Sequence, residues 1–280
     1  MLEELLSVKA IRQRPSYGLL LGACYAAIAI GLALWLFPDD PALIAVALIT
    51  LMFYPTLTSF LKSGEDIEAR KKELNPFTFF HDHFPLYKLY LGFFLGVFLV
   101  FSLFSLSLPA LAANYLFRNQ MSLFLGAASW NQGLFTDLFL NNLLVLLVIF
   151  LTAFFLGEGG ILLITWNASV WGTIFGSLAR NAGLATQHSP SGFFFIILAI
   201  ILPHMLLEAF GYFTSAISGG AISKGLLKEK MGSGRFLRIL KNTLAALAIA
   251  VAFVALGAIV ETFVLQNATT YQTLIQYSLP

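Results

Sequence analysis

The 280-residue chain has one cysteine and little charge: Lys, Arg, Asp and Glu make up 11% of it, against about a quarter in soluble domains. Cys24 has no second cysteine to pair with and sits in an apolar run, where it reads as a small packing residue. No Walker loop, glycine-rich dinucleotide turn or paired-cysteine metal motif occurs. Ser, His and Asp do not fall at the spacings of a recognised hydrolytic triad. The net charge of +2 supplies no basic field for nucleic acid. A non-enzymatic protein is expected, with no catalytic residues, cofactor, metal or nucleic-acid partner.

What the chain has is apolar length. Hydrophobic residues make up 59% of it, and mean hydropathy is +0.84. Several runs exceed the roughly 20 residues that cross a bilayer as a helix. The expected fold is all-α, a polytopic transmembrane bundle of about seven spans. These are Tyr17–Phe37, Pro41–Leu61, Lys88–Leu108, Thr136–Leu156, Gly160–Ala179, Phe193–Ser218 and Thr243–Leu265. The first run is long, lacks a small-residue exit and is followed at once by another, so it reads as a permanent anchor. Membrane lipids are the first expected partner.

Charge sets the expected orientation. Three Lys or Arg precede the first span, five lie between Lys62 and Lys88, and six follow Gly220. These 14 of the 16 share one side if there are seven spans, or five with a dissenting hairpin, leaving Arg118 and Arg180 opposite. Positive charge accumulates on the cytoplasmic side, so the N-terminus is expected inside and the C-terminus outside a plasma membrane.

The connections are short. Glu65–Leu74 reads as a charged helix stopped by Pro76, and the aromatic segment from Pro76 to Tyr87 as an interfacial element. Ala110–Asp137, with Trp130 and Asn131, reads as amphipathic and surface-lying. His81 and His83 are too few to close a metal site and read as surface histidines. Residues 1–87 are expected to hold a two-helix hairpin plus a cytoplasmic or interfacial segment, 88–265 a five-span core, and 266–280 a short external tail.

Polar residues inside the spans carry the functional signal. His204 lies eleven residues beyond Phe193, about 16 Å deep at 1.5 Å per residue. Glu208 follows one turn later on the same face. An ionised carboxylate at the bilayer centre costs about 2.5–3.5 kcal/mol, so it needs a partner, a proton or water. Pro203 removes a helix donor and frees the carbonyl of Ala199. Asn167 in the fifth span, Asn141 and Asn142 in the fourth, and Glu158 in the turn after it complete a candidate polar cluster with Pro203, His204 and Glu208. Gly18/Gly22, Gly92/Gly96 and Gly172/Gly176 are spaced for close helix approach.

Asn141-Asn142 opening one span, Gly157 ending it, Asn167 in the next, and Ile201-Leu202-Pro203-His204 followed by Glu208 resemble the stage II sporulation protein M family. The resemblance covers about Lys88 to Leu265 and departs from the family at Met205 and Ala168, where glycine is usual. It implies an integral membrane protein, and in spore formers a scaffold for a cell-wall hydrolase complex. Three readings follow. The first is a membrane scaffold or assembly component, with a protein partner or homo-oligomer, in which His204 and Glu208 bond to Asn167 as internal glue. The second is a transporter or lipid-translocating protein using Glu208 and His204. The third, an intramembrane hydrolase, lacks ligands for a metal.

Overall fold

A computed structural model describes residues 14, 16–39, 41–62, 76–120 and 133–277. The expected charged helix Glu65–Leu74, together with Trp130 and Asn131, lies outside them. The described residues form α1 (Ser16–Leu36), α2 (Pro41–Lys62), α3 (Pro76–Ser107), α4 (Ala110–Leu116), α5 (Leu134–Leu156), α6 (Gly160–Thr186), α7 (Pro190–Lys228), α8 (Gly234–Asn267) and α9 (Thr269–Gln276). Seven of these, all but α4 and α9, are long and apolar enough to cross a membrane.

Backbone groups have no water to bond in hydrocarbon, so each span must be helical throughout. Packing between spans then depends on how closely backbones approach, because burial of apolar side chains gains little against lipid. The glycines supply that approach. A Cβ on Gly22 would collide with the carbonyl oxygen of Phe93, and one on Gly96 with that of Leu19. These contacts lock α1 onto α3. On the other side of α3, Cβ atoms on Gly172 and Gly176 would each lie 2.5 Å from a carbonyl oxygen, of Phe98 and Ser102. Thus α3 is held between α1 and α6, and the three glycine pairs act within one chain.

Three connections differ from the sequence reading. Residues 76–87 do not form a separate interfacial element; α3 runs unbroken through Pro85 from Pro76 to Ser107. The reason is burial: Phe79 and Tyr87 are covered by protein, and the Tyr87 hydroxyl is 2.7 Å from Thr214 Oγ1 on α7. Residues 110–120 fold back into the bundle instead of lying on its surface. Phe117 is fully buried with its ring 5.5 Å from that of Phe101, six residues before the end of α3, or about 9 Å along its axis. Beyond it the Gln120 amide donates to Ser169 Oγ on α6 at 3.4 Å. Finally, residues 269–276 of the tail form α9, which buries Tyr271, Leu274 and Ile275 against the bundle. Gln272 Nε2 holds it there, donating to the carbonyls of Leu265 and Gln266 at 2.7 and 3.0 Å.

Arg180 sits near the end of α6 with 5% exposure. Its Nη1 donates to the carbonyls of Ser105 at 3.0 Å and Leu108 at 3.4 Å, at the C-terminal end of α3. A cation at that end meets carbonyls that no helical amide can reach and opposes the helix dipole.

Candidate functional site

The central polar cluster forms where α5, α7 and α8 meet. Glu208 is near the midpoint of the 39-residue α7 and only 2% exposed. Its carboxyl lies within hydrogen-bonding reach of the Glu261 carboxyl on α8 and of the Asn142 side-chain amide on α5. The Tyr212 hydroxyl, one turn along α7, donates to Asn142 Oδ1 at 3.1 Å. Since that oxygen accepts from Tyr212, the Asn142 NH2 is left to donate to Glu208.

Gly257 makes the room. It lies one turn before Glu261 on α8, and a Cβ there would sit 2.8 Å from Glu208 Cγ and 3.4 Å from Glu208 Oε1. Gly211 does the same one turn away, where a Cβ would meet the Ala250 carbonyl oxygen at 3.0 Å. The carboxyl of α7 therefore lies against bare α8 backbone and reaches Glu261. Gly257→Ala should push Glu208 out of this cradle and cost about 1–3 kcal/mol, the usual range for overpacking. Thermal unfolding of the purified variant in mild detergent measures it.

Two polar atoms in the cluster are unspent. Glu208 Oε1 and His204 Nδ1 are buried without a hydrogen-bond partner. Native proteins seldom leave such atoms unpaired, and those they do leave call for an explanation. Two facing carboxyls add a second demand. If both were ionised their repulsion would be unscreened, and a hydrogen bond between them requires a proton on one.

Position along the helices places the cluster toward one end of the bundle. Asn142 is eight residues from the start of α5, about 12 Å, and Glu261 six residues from the end of α8, about 9 Å. Tyr271 on α9 packs at that same end. Burial foremost, and then the nearby Glu261 carboxyl, push the Tyr271 phenol above its ordinary pKa, so it stays a neutral hydroxyl there.

The other sequence candidates fall elsewhere. Asn141 is exposed, about 100° round α5 from the buried Asn142. Glu158 pairs with Lys224 Nζ at 3.1 Å, sixteen residues along α7 from Glu208 and about 24 Å away. Asn167 Nδ2 donates to the Leu163 carbonyl of its own helix at 2.8 Å, so its amide is not the partner of His204 and Glu208 that the glue reading requires. Pro203 lies within the continuous α7, next to His204, which is 6% exposed. His81 is exposed beside Asp82, and His83 Nδ1 is 2.9 Å from the Phe79 carbonyl oxygen. Among the described residues no three His, Cys, Asp or Glu side chains are grouped to hold a metal.

Glu261 and Tyr212 escaped the sequence reading. Glu261 did carry a signal: it is the only acidic residue in the 34-residue α8, one turn after a glycine in an otherwise apolar stretch.

The family model for stage II sporulation protein M matches residues 86–265. The chain belongs to the stage II sporulation protein M family. No curated protein and no solved structure matches it. The matched region of this family member starts inside α3 and ends near the close of α8, so it contains Asn142, Glu208 and Glu261 together. The α1–α2 hairpin lies outside the match, although α1 is interlocked with α3.

Proposed function

We propose that this membrane protein is a non-enzymatic transporter that carries protons across the plasma membrane, with the Glu208–Glu261 pair as its proton-binding site. The single observation that carries this reading is the contact of two carboxyls on different spans, cradled by a glycine and backed by an amide donor. A pair of that kind takes up and gives up one proton with a large change in its mutual repulsion. Because the carboxyls belong to α7 and α8, that change acts on how two spans pack. This is the differential interaction that can bias a two-state carrier. Asn142 and Tyr212 orient Glu208, and the unspent His204 ring nitrogen lies one turn away on the same helix. The charge distribution supports an inward-facing N-terminus, which would place the site nearer the outer surface.

The scaffold reading loses ground on two observations: the close-packing glycines are satisfied inside the chain, and Asn167 bonds to its own helix. The test is proton flux into vesicles that contain only this protein, driven by a pH gradient and read with an enclosed dye. Flux in the native protein that Glu261→Gln abolishes is expected. A folded native protein without flux, recovered in a stable complex with another membrane protein, would return the scaffold to first place.

A further inference from the structure

The side of α5 that faces away from the cluster carries its own pattern. Asn141, Leu144, Val148, Leu151 and Phe155 recur at alternating spacings of three and four residues, and all five are exposed on one face. Helix α5 is also the least covered span, with 17% of its apolar window buried against 61% for α6. Apolar residues suffice for a face that meets lipid alone, and Leu144, Val148, Leu151 and Phe155 fit that. Asn141 does not. It lies seven residues inside α5, about 10 Å from its end, and makes no hydrogen bond among the described residues. An unpaired amide in hydrocarbon is costly, and a second helix removes the cost.

The register specifies which helix. With Asn141 and Val148 in one heptad position and Leu144 and Leu151 in the other, the face is that of a parallel two-stranded pair. Asn141, Val148 and Phe155 share the first core position and Leu144 and Leu151 the second; asparagine and a β-branched residue at the first with leucine at the second favour two parallel strands. Copies inserted in one membrane share one orientation, so their α5 helices run parallel. Asparagine carries both a donor and an acceptor, so it pairs with itself across a two-fold axis. Asp137, one turn nearer the end of α5, marks where the seam reaches water.

We infer that the chain forms a parallel homodimer in the membrane through this face of α5, with Asn141 hydrogen-bonded to Asn141 of a second copy. The seam lies on the opposite side of α5 from Asn142, so it leaves the carboxyl pair untouched.

The full chain, fluorescently labelled and reconstituted in lipid vesicles over a range of dilutions, tests it by counting bleaching steps. Two-step traces that dissociate on dilution are expected. Asn141→Leu should weaken the association roughly tenfold, the scale of an interhelical amide pair. Leu144→Cys and Leu151→Cys, each in a Cys24→Ser background, should cross-link to themselves, whereas the exposed Leu184→Cys on α6 should not. Asn141, Leu144, Leu151 and Leu184 are exposed and Cys24→Ser changes one atom of a half-buried side chain, so the variants should fold. Single-step traces at every dilution, association unchanged by Asn141→Leu, or equal cross-linking through Leu184 would each overturn the dimer.

Discussion

Glu208→Gln is expected to lower proton flux by roughly a hundredfold or more, the scale that a positioned proton-transfer group contributes. Glutamine keeps the volume and both hydrogen-bonding ends of the side chain. It can still accept from Asn142 and donate to Glu261, and it still fills the space beside Gly257. What it loses is the ability to release a proton. The same substitution removes the desolvation cost of a buried carboxylate, about 2.5–3.5 kcal/mol when ionised at the bilayer centre. The unfolding temperature should therefore hold or rise. That combination separates the two uses of a buried polar cluster. In a cluster that serves as glue, weakening a member lowers stability; in one that moves a proton, it lowers flux and spares stability. A Glu208→Gln protein that is less stable and conducts like the native chain would remove the pair from transport.

The second large effect is steric. In Gly96→Ile the new Cβ would run into the Leu19 carbonyl oxygen and lie 2.7 Å from the Ala23 amide nitrogen. Both obstacles are backbone, so no side-chain rotation relieves them, and α1 must separate from α3. Overpacking costs about 1–3 kcal/mol where side chains can shift; backbone against backbone should exceed that range. Because the matched family region begins at residue 86, the expected product is a released α1–α2 hairpin on a retained core of α3 to α8. Limited proteolysis in mild detergent should then cut between residues 62 and 76 far faster than in the native protein. An unchanged digestion pattern with an unchanged melting curve would show that the α1–α3 contact contributes little.

Much of the fold was legible because the solvent is hydrocarbon. Length and hydropathy alone place α1, α2, α5 and most of α6 within a few residues, since each span must satisfy its backbone internally. Glycine spacing identified close packing at Gly18/Gly22, Gly92/Gly96 and Gly172/Gly176, but not its partners, because spacing on one helix says nothing of the helix it meets. Less legible were the elements whose place depends on other elements. The aromatic run from Phe79 to Tyr87 has the composition of a headgroup-level segment, and only the presence of α7 and α8 beside it turns it into buried helix. The fold-back at Phe117 has no hydropathy signature, as its depth is set by the ring of Phe101. In the candidate site, His204 and Glu208 stood out by their spacing on one helix. Glu261 comes from another helix, and the distance in sequence between residues 208 and 261 carries no sign that the two carboxyls meet. Asn141 and Asn142 looked like one signal and proved to be two, since adjacent residues on a helix point about 100° apart.

The measurement that bears most directly on the carboxyl pair is its infrared signature in lipid. A protonated carboxyl has a carbonyl stretching band distinct from that of a carboxylate. If Glu208 and Glu261 share one proton, the native protein shows one such band from within the bilayer, and Glu208→Gln and Glu261→Gln each remove or shift that same band. Two bands that respond to the two substitutions independently, or a band untouched by both, would show that the carboxyls do not act as a pair.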